Sequence, residues 1–178
     1  MDSRYFQAIA LAGVLLYGIL PANAAVTEKT LPAIAFKESP GRLDIQIGER
    51  IVATYVYNDP AIPRPYFQDV KTLDGVAVTR PNPPDPAINK GNDDHPTFHP
   101  GLWLAFGDLS GKDFWRNKAA VRHVRFLEPF VEQPGLGRFT VENEYAGDDT
   151  TVVCRERCTY TIRCESPGAY FISSDSVF

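Results

Sequence analysis

One strand-like stretch of this chain sets an acid among apolar residues. From Val152 to Glu165 the even positions read Val152, Cys154, Glu156, Cys158, Tyr160, Ile162 and Cys164. The odd positions read Val153, Arg155, Arg157, Thr159, Thr161, Arg163 and Glu165. Successive strand side chains point to opposite faces, so the even face is apolar and inward, and the odd face basic and wet. A carboxylate on the inward face must be paired, protonated or open to a cavity. Glu156 is therefore a structural salt-bridge partner, a pocket acid or base, or a residue that a bulge turns outward. All three cysteines share its face. Residues four apart on one strand lie about 13 Å apart and six apart about 20 Å, beyond the roughly 7 Å that a disulfide tolerates. The thiols are expected as small buried hydrophobes, and their spacing assigns no metal ligand.

A second group with chemistry to offer is the loop Asn92-Asp93-Asp94-His95-Pro96-Thr97-Phe98-His99-Pro100-Gly101. Pro96 and Pro100 forbid a regular helix, so His95 and His99 are not a helical zinc pair. Beside Asp93 and Asp94, the two imidazoles suit acid–base work near neutral pH, metal ligation, or simply an exposed polar turn. His123, in Ala-Ala-Val-Arg-His-Val-Arg-Phe-Leu, shares a face with Val121, Arg125 and Leu127 and reads as a structural histidine.

Trp103 and Trp115, with Tyr66, Phe67, Phe98 and Phe114, make the loops rich in aromatic residues. Such walls suit sugar rings, whose apolar faces stack while polar groups bind the hydroxyls; the same rings could instead cap the end of a sandwich. Asp94, Asp108 and Asp113 join Tyr66, Trp103 and Trp115 as candidate ligand contacts. Arg64 and Arg80 are candidate anchors for a carboxylate or phosphate. No nucleophile-elbow, P-loop, dinucleotide-binding or EF-hand pattern is present, and no cofactor is implied.

These residues need strands and turns to hold them. Leu43, Ile45 and Ile47 alternate with polar residues, and residues 51–58 (IVATYVYN) form a β-branched, aromatic run after a Gly48-Glu49-Arg50 turn. Residues 75–79 are a short apolar piece, and 81–101 a long connection with six prolines, of the kind that is usually functional or disordered. Order is expected to return at residues 102–106 (LWLAF), 119–128 and 139–145, with a hairpin connection over 146–150. No helix-length amphipathic pattern follows residue 24. The fold class is all-β, an antiparallel β-sandwich.

Composition agrees. The chain has 178 residues, is 44% hydrophobic and carries a formal charge of −4, so it is unlike the basic footprint of a nucleic-acid-binding protein. Its apolar run Ala8–Leu20, followed by Pro21-Ala22-Asn23-Ala24, is the layout of a cleaved secretory signal with its site after Ala24. At 13 residues that run is too short to span a bilayer comfortably, and no later segment approaches the roughly 20 needed. Residues 25–178 are thus expected as one exported domain, secreted or periplasmic, with no membrane partner after cleavage. The sequence leaves its oligomeric state open.

Three blocks look familiar together: Arg64 to Phe67, then Asp94-His95-Pro96 running into Gly101-Leu102-Trp103, then Gly107-Asp108 with Gly111, Asp113, Phe114 and Trp115. Over about residues 40–178 the chain resembles the secreted bacterial family labelled PmoA, or "methane oxygenase PmoA". Glu142 to Tyr145 and Cys154 to Glu156 also look like that family. Many members carry a second histidine directly after Asp-His-Pro, where this chain has Thr97-Phe98-His99-Pro100. The resemblance implies a sandwich similar to the mutarotase-type supersandwich, an unassigned function in carbohydrate-degrading contexts, and a chain that here stops short of its C-terminal strands. It carries over no catalytic residues.

Three functions follow as expectations. The first is a carbohydrate-active enzyme in which His95 or His99 and Glu156 act as acid and base. The second is a non-catalytic carbohydrate-binding or interaction module built from the same loops. The third, implied by the family label, is a metal-dependent oxygenase; the membrane subunit of methane monooxygenase, however, needs spanning helices that this sequence lacks.

Overall fold

The computed structural model describes residues 30–147, 151–166 and 168–178. The leader-like segment and the tip of the 146–150 connection lie outside the described residues. Among the described residues, nine strands form two antiparallel sheets. The first runs in the order β1 (Ile34–Ser39), β2 (Arg42–Ile47), β3 (Arg50–Val56) and β4 (Tyr66–Gln68). The second places β5 (Ala120–Phe126), β7 (Leu136–Ala146), β8 (Val152–Ser166) and β9 (Ala169–Val177) side by side, with β6 (Val131–Gln133) also on β7. The sheets pack face to face as a β-sandwich. There is no helix among the described residues, and so none long and apolar enough to cross a membrane.

Alternation builds the core. Leu43, Ile45 and Ile47 of β2 are buried, as are Val52, Ala53 and Tyr55 of β3. They meet Phe139 and Val141 of β7 and Cys158, Ile162 and Cys164 of β8. The Tyr55 ring lies 5.2 Å from Phe139, and Phe67 lies 5.0 Å from Tyr160, so aromatic contacts join the sheets across the middle. Gly137 permits the close approach of β1 to β7: a Cβ there would sit 2.4 Å from the Ile34 side chain.

β8 has the two faces its sequence implies. Glu156, Cys158, Ile162 and Cys164 are buried, while Arg155, Arg157 and Arg163 are exposed. The cysteines are free thiols, two of them buried. The basic outer face is charge-paired: Arg155 meets Glu144 at 3.0 Å, Arg125 of β5 meets Glu142 at 2.7 Å, and Arg157 meets Glu128. β9 pairs with β8 along one edge and with no described strand along the other.

Two expected pieces of order are absent. Residues 102–106 form no strand; Leu102 makes one isolated bridge to Phe67, and Leu102 and Leu104 are exposed. An apolar run becomes a strand only where a ladder partner continues, and here the partner β4 ends at Gln68. Residues 75–79 likewise contribute only a bridge, Lys71 to Ala77, and leave Val76 and Val78 exposed. β1, β4 and β6 carried no sequence signal strong enough to expect them; two of the three are three residues long.

Candidate functional site

The stretch from Asp69 to Ala119 contains no strand, so something other than a ladder must hold it. Two arginines do. Arg80 donates to the carbonyls of Asn92 at 2.6 Å, Asp94 at 2.9 Å, and His95 and His99 at 3.3 Å each. Arg64, only 3% exposed, donates through Nη1 to the carbonyls of Phe114 at 3.0 Å and Trp115 at 2.9 Å, and through Nη2 to Phe98 at 2.8 Å. Burial pushes the Arg64 guanidinium down to about 10, which still leaves it charged at neutral pH. Its Nε has no partner among the described residues. Both arginines, expected as anchors for an anionic ligand, therefore direct most of their donors to the loop backbone.

Arg64 also fixes an indole. Its guanidinium carbon lies 3.7 Å from the centre of the Trp103 ring, a cation–π contact. Trp115, 42% exposed, packs 4.6 Å from Trp103. Gly101 sets the approach of this segment: its φ is +150°, and a Cβ there would fall 1.9 Å from the Phe67 carbonyl oxygen.

Beside Trp103 lies a cavity of ≈ 230 Å³. Tyr66, Trp103 and Leu104 line it from the first sheet and its loop, and Cys158, Tyr160, Ser174 and Ser176 from β8 and β9. The hydroxyl of Tyr66 donates to Asp59 at 2.6 Å and accepts from Asn82 at 3.0 Å. Burial first, and Asp59 second, raise its phenol well above the usual range. Burial likewise pushes the Cys158 thiol and the Tyr160 phenol up, so both stay protonated at neutral pH. The Ser174 hydroxyl makes no hydrogen bond among the described residues and is exposed.

Glu156 sits one hydrogen bond behind this cavity. It is 4% exposed and accepts from Ser176 Oγ at 2.6 Å through Oε1. Through Oε2 it accepts from Asn143 Nδ2 at 3.0 Å and the Tyr145 hydroxyl at 3.3 Å. Asn143 stands directly opposite it in the β7–β8 register. Its partners are thus three neutral donors, not an arginine, and it is not bulged outward. Burial first, and Glu156 next, hold the Tyr145 phenol above its ordinary range.

The histidines are elsewhere. His95 adopts φ 48°, stacks 5.5 Å from Phe98 and lies 3.6 Å from the exposed Asp94 carboxylate. His99 lies 6.3 Å from both His95 and Trp103. Both are exposed, and His99 and Asp94 border a shallow depression with Arg80 and Asn92. No hydrogen bond or ion pair joins either histidine to Glu156. One chain of contacts between them passes from His99 through Trp103, Arg64, Phe114 and Tyr145.

The two remaining aspartates serve turns. Asp108 accepts from the Gly111 amide at 2.8 Å, and Asp113 from the Arg116 amide at 3.0 Å. That amide, with the Arg116 side chain, holds the Asp113 carboxyl below the usual carboxylate range. His123 is packed 4.6 Å from Tyr57 and 4.8 Å from Phe126, and desolvation lowers its pKa. Among the described residues, no group of three or more His, Cys, Asp or Glu side chains is placed to hold a metal ion.

Sequence reasoning thus picked out Glu156, Tyr66 and Trp103, but not the β9 serines or Asn143. A signal for both existed. Ser174 and Ser176 share a face by simple alternation, and Asn143 interrupts the apolar series Phe139, Val141, Tyr145 as Glu156 interrupts its own.

Residues 42–178 match the model of a family of unknown function, DUF6807. No curated protein and no solved structure matches the chain.

Proposed function

We propose, for a chain that belongs to the DUF6807 family of unknown function, that it is an exported protein that binds carbohydrate in the cavity beside Trp103. The observation that carries this reading is the pairing of a pinned indole with hydroxyls across one cavity. Arg64 holds Trp103 in place before any ligand arrives, while Ser174 and Ser176 border the same space. An aromatic wall facing small polar groups suits a sugar ring. Glu156, behind Ser176, orients that hydroxyl.

Recognition is favoured over turnover by a histidine–glutamate pair, because His99 borders a separate depression with Asp94 and Arg80 and neither histidine lines the cavity in front of Glu156. The likeness to the PmoA-labelled family belongs to the same proposal, as does export through cleavage after Ala24.

The test is titration of the purified protein with a panel of mono- and oligosaccharides, followed by calorimetry and tryptophan fluorescence. Saturable binding that is lost in Trp103→Ala and kept in His95→Ala and His99→Ala is the expected result. A panel without a binder, or affinity unchanged in Trp103→Ala, overturns the reading. Turnover of any sugar that His99→Ala abolishes would restore the acid–base alternative. Export is checked separately: the mature N-terminus of secreted protein should be Ala25.

A further inference from the structure

The cavity beside Trp103 has a neighbour of different chemistry. A second cavity of ≈ 300 Å³ shares Leu102 and Ile172 with it, so the two adjoin along the open side of the sandwich between the 66–104 segment and β9. Val70, Leu73, Val78 and Ala169 supply half of its remaining lining residues, and Lys71 is its one charged residue. The hydroxyls that border it are already engaged. Tyr170 donates to the Lys71 carbonyl at 2.7 Å, and Thr72 bonds Asp74 and the Val76 amide within its own turn. The first cavity is bordered by the free Ser174 hydroxyl and by Ser176, whose hydroxyl donates to Glu156; the second is lined mainly by hydrocarbon. Leu102 and Val78 lie 44% and 62% exposed at this border, apolar surface that water covers in the unliganded protein.

We infer that the ligand is a glycoside with an apolar aglycone, its sugar beside Trp103 and its aglycone over Leu102 and Ile172 in the second cavity. This inference rests on the carbohydrate reading above and specifies its ligand class. A free sugar would fill the polar space and leave the adjoining apolar surface wet. An aryl or alkyl group joined through the glycosidic oxygen removes that surface from water, at a gain proportional to the area covered. The same surface discriminates against a second sugar residue, whose hydroxyls would lose their water without gaining partners.

The experiment compares methyl, n-butyl and phenyl glycosides of glucose, galactose and mannose on the whole protein, with butanol and phenol as sugar-free controls. For at least one sugar, the phenyl glycoside is expected to bind about tenfold or more tightly than the methyl glycoside. Val78→Asp, a change at an exposed position that the fold tolerates, should erase this gain while methyl glycoside affinity persists. Equal affinity for methyl and phenyl glycosides, or a Val78→Asp effect of the same size on both, overturns the aglycone subsite and leaves carbohydrate binding standing. Binding of phenol as tight as that of its glycosides, or no binding by any glycoside, overturns both readings.

Discussion

The guanidinium of Arg64 lies 3.7 Å from the centre of the Trp103 ring and, in the same position, donates to the carbonyls of Phe98, Phe114 and Trp115. One side chain two residues before β4 thus gathers two separate loop segments and orients the indole of a third. Removing it leaves three carbonyls without donors and the ring without its support. Arg64→Ala should destabilise the protein by about 3 kcal/mol or more, measured by urea denaturation. Arg64→Lys keeps the charge but lacks the planar fork, so it should recover only part of that loss.

Gly101 is the hinge of the same construction. With φ +150° and a Cβ position 1.9 Å from the Phe67 carbonyl oxygen, Gly101→Ala cannot keep the Phe67–Leu102 bridge. A loss of at least about 2 kcal/mol is expected. It should come with a shifted tryptophan emission, because Trp103 lies two residues on.

At Glu156 the partners rather than the charge decide the outcome. Glu156→Ala strands the donors of Asn143, Tyr145 and Ser176 and should cost about 3 kcal/mol. Glu156→Gln should cost about 1 kcal/mol or less. The hydroxyls can rotate, and the Asn143 Oδ1, which lacks a partner, can turn to accept from the new amide. A larger loss in Gln than in Ala would contradict this account of the network.

His123 gives stability a pH dependence. Desolvation lowers its pKa below the ordinary 6.5, with Glu38 opposing in part. Above that value the imidazole is neutral in both folded and unfolded chains and carries no penalty. As the pH falls from 6.5, the unfolded chain takes up the proton more readily than the folded one, so stability declines. The urea midpoint should fall between pH 7.5 and pH 5.5, and less steeply in His123→Gln than in the parent chain.

Faces were legible in the sequence because the pleat has a period of two whatever it packs against. Leu43, Ile45 and Ile47 turn inward for that reason, as do Glu156, Cys158 and Ile162, and from their pattern an all-β sandwich follows. The tertiary structure alone decided what each inward residue meets. Glu156 could have found an arginine or a histidine. The register of β7 on β8, and of β9 on β8, set Asn143, Tyr145 and Ser176 around it instead. Arg64 and Arg80 were recognisable as guanidinium groups beside aromatic loops, which fits a ligand anchor and a brace equally well. Guanidinium groups bond to whichever oxygens lie in reach, and a backbone carbonyl carries no residue identity to read in advance. The path of the loop aimed Arg64 and Arg80 at those carbonyls and left both histidines exposed, because contacts between residues far apart in the chain exist only once the sheets have packed.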